Sequence, residues 1–61
     1  MELFLVYYEE QEHMYEVFLG IFSSRQKAEK IMQAEIDGGN EDARDFGHIL
    51  PFQLDELRPK I

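Results

Sequence analysis

The chain has 61 residues, thirteen acidic and six basic, for a formal net charge of -7, and it contains no cysteine. At this length a single domain spanning residues 1–61 is expected, burying only about 60% of its unfolded surface and hence marginal alone. A disulfide scaffold and a thiolate metal site are excluded, the acidity opposes direct binding to nucleic acid, and no apolar run approaches the roughly 18 residues that cross a bilayer.

Residues 1–24 hold five carboxylates and no Lys or Arg, together with two runs that are apolar on both faces. The first run predicts a strand over residues 2–9, with Leu3, Leu5 and Tyr7 on one face and Phe4, Val6 and Tyr8 on the other. A charged connection follows at residues 10–13. It has neither Gly nor Pro, which suits a loose hairpin loop rather than a tight turn. The second strand is predicted over residues 14–22, where Gly20 signals a bulge or a close backbone approach.

Ser23 and Gln26 have the spacing of a capping box, so a helix is predicted over residues 24–37. Its apolar stripe is Ala28, Ile31, Met32 and Ile36. Gly38 and Gly39 end it, because glycine takes the left-handed conformation of a C-cap without steric cost. Residues 40–47 have a loop's composition, with Phe46 as the expected anchor. Leu50, Phe52 and Leu54 alternate with polar residues and predict a third strand, which Pro51 places at a sheet edge. Residues 58–61 read as a frayed tail.

The order is therefore ββαβ, an α+β class with a three-stranded antiparallel-type sheet in the order 2-1-3, a right-handed crossover and one helix on one face. Strand one is central, and its two apolar faces need two covers. The set Leu3, Leu5, Val17, Leu19 and Ile21 carries no charge and is assigned to the helix side. Phe4, Val6, Tyr8 and Phe18 are then left open, as the expected interface with a second copy or a partner. A one-residue bulge at Gly20 would exchange these faces.

The segment Leu19-Gly20-Ile21-Phe22-Ser23-Ser24-Arg25-Gln26-Lys27-Ala28-Glu29 resembles the G-[VI]-[FY]-S-S-x-x-K-A-E strand-to-helix motif of a family of very small bacterial and phage domains. Phe4 to Tyr8 and Phe52 to Leu57 are similar to that family's outer strands. The resemblance implies a ββαβ fold and supplies no catalytic residues. In size and acidity the chain is also similar to phage-encoded inhibitors of bacterial defence systems.

Little in the chain carries chemistry. Ser23 and Ser24 lack a neighbouring base and read as helix caps. His13 and His48 stand far apart, outside zinc-ligand spacing, and both read as solvated. Residues 37–42 are rich in oxygen ligands but lack the calcium-loop order. The aromatics alternate with Glu rather than with Lys or Arg, unlike a single-strand nucleic-acid surface. No catalytic residue, cofactor or metal site is expected, and no enzyme activity.

The expected function is a small acidic, non-enzymatic protein-binding module of the cytoplasm, or of the host cytoplasm if phage-encoded. It would pair with itself and inhibit or regulate a larger protein through Glu9, Glu10, Glu12 and Glu16. Neither nucleic acid nor membrane is an expected partner. The alternative is a small-ligand or nucleotide-binding regulatory domain, with a pocket between protomers near Tyr15, Arg25 and Lys27, where a helix N-terminus and basic side chains favour anions.

Overall fold

The computed structural model describes residues 1–54; the tail predicted at 58–61 and the end of the third-strand similarity lie outside the described residues. The elements run β1 (Glu2–Glu10), β2 (Tyr15–Phe22), α1 (Arg25–Asp37), α2 (Glu41–Phe46) and β3 (Gly47–Gln53). The sheet order is β2-β1-β3, and both neighbours run antiparallel to β1. This is the expected ββαβ frame with one addition, the short helix α2.

Pairing of β1 with β2 is regular from Phe4–Phe22 to Val6–Gly20, then resumes at Tyr7–Phe18. Leu19 is thus the extra residue of a β-bulge. Period-two alternation breaks there, so Leu19 and Phe22 both pack on the helix side although they stand three positions apart. Gly20 serves the bulge twice. Its φ of 152° disfavours an L side chain, and a Cβ there would meet the Phe22 ring at 2.9 Å.

The bulge leaves Val17 and Leu19 on the helix side as assigned but reverses the assigned faces of β1 and of Ile21. Phe4 and Val6 of β1 lie in the core with Ala28 and Met32 of α1 and Ala43 of α2, and Tyr8, Leu19, Phe22, Ile36 and Ile49 pack around them. Val6 is fully enclosed. Phe4, Val6 and Tyr8 therefore belong to the helix side and cannot form the open interface proposed for them; of that set only Phe18 is open, at 61% exposure. Leu3, Leu5 and Ile21, assigned to the helix side, lie on the opposite face with Leu50 of β3, where Ile21 and Leu50 are about half exposed. Phe52 pairs with Leu3 and so lies on the face opposite the helices, yet it is buried.

Helix α1 starts one residue later than its sequence signal. Ser24, not Ser23, is the N-cap, and its hydroxyl accepts the Lys27 N–H at 3.2 Å. The Ser23–Gln26 box does not form. Ala28 and Met32 are buried and Ile36 packs beside them, while Ile31 sits at the border of the stripe. At the C-terminus the Gly39 N–H donates to Ile36 O and the Asn40 N–H to Glu35 O, with Gly39 at φ 95°. That is the Schellman pattern, which satisfies the last carbonyls.

Asn40 is also the N-cap of α2, its Oδ1 accepting the Ala43 N–H at 2.9 Å while its Nδ2 donates to Glu35. Two helices are thereby tied through one side chain. Ala43, rather than Phe46, anchors the 40–47 segment: Ala43 is buried and Phe46 is exposed. The approach is close. A Cβ on Gly47 would stand 2.3 Å from Ala43 O and 2.8 Å from Met32 Sδ.

Candidate functional site

Both helices cover the same sheet face; on the opposite face Phe52 is buried opposite Leu3, and the part beyond it toward the hairpin end is open among the described residues. Its middle is two rows of side chains. One crosses from Phe18 through Tyr7 to His48, with ring centroids 5.8 Å and 5.0 Å apart, the second pair stacked. The other crosses from Ile21 through Leu5 to Leu50. Neither row contains a carboxylate. One end of the face does: Glu9 of β1 is directly opposite Glu16 of β2, and His48 Nε2 lies 3.7 Å from Glu9 Oε2.

A cleft of about 260 Å³ opens at this same hairpin end, lined by Glu9, Glu10, Gln11, Met14, Tyr15, Glu16 and Phe46. The strand pairing explains its position. Strand β1 continues to Glu10, whereas pairing with β3 stops at Tyr8–Gly47, so Phe46 leaves the sheet just where the carboxylates begin. Three of the four expected partner-facing acids, Glu9, Glu10 and Glu16, border the cleft. Glu12 lies beside it, exposed in the connecting turn.

Glu10 has a structural task as well. Its two oxygens accept the backbone N–H groups of His13 at 2.6 Å and Glu12 at 3.2 Å, which closes the turn without Gly or Pro. The turn also holds Met14 at φ 60°, and its Gln11 N–H reaches Asp42 Oδ2 of α2 at 3.4 Å. His13 is exposed, as expected, with Nδ1 3.2 Å from Glu10. Glu10, Glu12 and His13 bring possible ligand atoms within 4.8 Å of one another. Glu10, however, is already committed to backbone amides.

Among the described residues no Lys or Arg forms an ion pair with Glu9, Glu10 or Glu16. Arg44 is taken by Asp45 at 3.1 Å, a hydrogen bond and a charge that raise its guanidinium above the ordinary value. Arg25 lies over the Phe4 ring, 5.0 Å from its centroid. Tyr15 and Arg25, which the ligand-binding alternative would draw together, stand near opposite ends of β2; within one protomer they line no common pocket among the described residues.

The cleft therefore joins negative charge to two exposed aromatic rings, Tyr15 and Phe46, and a flexible thioether, Met14. Such a lining suits a guanidinium or ammonium group on an apolar stem, attracted by carboxylates and by ring faces. Sequence reasoning named the acids and missed the cleft's apolar wall, because Phe46 reaches it only through the unforeseen α2. No helix among the described residues is long and apolar enough to cross a membrane. No family model, curated protein or solved structure compared with the chain matches it.

Proposed function

We propose that this chain is a non-enzymatic protein-binding module that pairs with a second copy of itself and holds Lys or Arg side chains of a larger protein in the acid-walled cleft, so inhibiting or regulating that protein. The observation that carries the reading is the cleft's composition: Glu9, Glu10 and Glu16 beside Tyr15, Met14 and Phe46, in a chain of net charge -7. Long-range attraction would speed encounter with a basic surface, and the aromatic walls would hold the side chain once it arrives. Inhibition of a bacterial defence protein is the most concrete version, supported by size, acidity and the resemblance of the strand-to-helix segment to small phage domains. A nucleotide-binding regulatory role has less support, since Tyr15 and Arg25 stand far apart along β2.

An NMR titration with the peptide acetyl-Ala-Arg-Ala-amide tests the reading, with acetyl-Ala-Glu-Ala-amide as control. Amide shifts concentrated at Tyr15, Glu16 and Phe46, and fading as salt is added, are expected. Equal shifts at Glu29, Asp37 and Glu41, or none anywhere, would reject the cleft as the binding site.

A further inference from the structure

The two central rows of the open sheet face are mostly apolar and exposed, whereas both sheet edges are protected. Strand β2 carries the Leu19 bulge, which disrupts a regular edge ladder, and β3 carries Pro51, which has no N–H to offer a further strand. An added strand is thus discouraged at either side. Among the described residues nothing comparable guards the rows Phe18–Tyr7–His48 and Ile21–Leu5–Leu50.

We propose that this face is the contact between two copies of the chain, packed sheet on sheet with their strands antiparallel, so that the aromatic row of each protomer lies over the aliphatic row of the other. This deepens the self-pairing part of the reading above and rests on it. Three features select a second copy in this orientation.

The first is charge. Another copy is as acidic as this one, and the two central rows are the part of the sheet that it can meet without carboxylates. Stacked sheets lie about 10 Å apart. With strands parallel, Glu9 would stand over its own counterpart at about that spacing, with Glu16 one strand to the side, close to the roughly 8 Å screening length of physiological salt. With strands antiparallel the acidic ends separate by the six residues from Leu3 to Glu9, about 20 Å along the strand. Repulsion is then largely screened.

The second is shape. One row is aromatic and bulky, and the other is aliphatic and smaller. Turning one copy end over end about an axis across the strands sets Phe18 over Ile21 of the second copy, Tyr7 over Leu5 and His48 over Leu50. Each protomer supplies both halves of the fit. A parallel stack would instead oppose ring to ring and leave the aliphatic rows apart.

The third is area. Phe18, Ile21 and Leu50 are 61%, 53% and 48% exposed. With His48 and the half-buried Leu5 and Tyr7 they present on the order of 500 Å² per protomer, given side chains that bury roughly 150–250 Å² when aromatic. Two such faces bury about 1,000 Å², the lower limit for a specific and dissociable pair. The arrangement leaves the two acid-walled clefts at opposite ends of the dimer, so that one pair engages two basic sites.

The chain has no cysteine, so introduced thiols are unique. Phe18→Cys and Ile21→Cys chains, both altered at exposed positions, would be mixed and treated with a short bismaleimide, since facing sheets are too far apart for a direct disulfide. Mass spectrometry would count the products. A severalfold excess of the 18-to-21 adduct over the 18-to-48 adduct of a matching Phe18→Cys and His48→Cys mixture is expected. An excess of the 18-to-48 adduct instead would overturn the antiparallel orientation while leaving self-pairing intact, because a parallel stack sets Phe18 over His48. No adduct above that of the urea-unfolded mixture would overturn the pairing itself, leaving the arginine-peptide titration as the separate test of the cleft.

Discussion

Replacing Glu16 by Gln is expected to stabilise the protein while weakening its hold on a basic partner. Glu16 and Glu9 are directly opposite on neighbouring antiparallel strands, where like charges destabilise the pair by roughly 0.2–1 kcal/mol. Coulomb's law agrees: two unit charges about 6 Å apart in water repel by roughly 0.7 kcal/mol. For a domain of this size 1 kcal/mol moves the melting temperature by about 4–8 °C, so Glu16→Gln should raise it by about 3–5 °C at low ionic strength. At 0.1 M salt the Debye length is about 10 Å and roughly half of that gain should remain. Differential scanning calorimetry at two salt concentrations reads both values, and the arginine-peptide titration on the same variant should show weaker binding. A variant that melts at or below the wild-type temperature in low salt would refute the claim that these two carboxylates are held together at a cost to the fold.

Val6→Ala removes two methyl groups from a fully enclosed site and should cost about 2–3 kcal/mol, transfer and cavity terms together. Ile21→Ala, at a half-exposed position on the bare face, should cost under about 1 kcal/mol at protein concentrations low enough to separate protomers; urea denaturation compares them, and equal losses would contradict the assignment of faces. Gly47→Ala forces a Cβ against the Ala43 carbonyl at 2.3 Å and should cost about 1–3 kcal/mol. Because the atom in the way is backbone, an unchanged urea midpoint would show that α2 is not held as described.

Much of the frame was legible in the sequence because it follows from local chemistry. Two long apolar runs joined by a charged connection specify a hairpin, and the Ala28–Met32–Ile36 spacing with paired glycines specifies one helix and its end. Which face is open was not legible, since it turns on whether Leu19 pairs with β1 or bulges past it, and that depends on Gly20 meeting the Phe22 ring in three dimensions. One slipped residue moved Phe4, Val6 and Tyr8 from solvent to core. The short helix α2 was hidden for another reason. Six residues are too few for periodicity to register, although Asn40 as cap, Glu41 and Asp42 in the first turn and Arg44 in the last are what a helix dipole favours. Reading 40–47 by composition alone gave a loop with the wrong anchor, and so the Phe46 wall of the cleft was lost with it.

The exposed rows of the open sheet face require a second chain to cover them. Sedimentation equilibrium over a range from low to high micromolar concentration, on wild type and on Phe18→Glu, tests this directly. The wild-type mass should climb from the 7.3 kDa of one chain toward twice that value, and Phe18→Glu should stay at one chain because it sets a carboxylate in the middle of the contact. A wild-type chain that remains at the single-chain mass throughout would contradict the account.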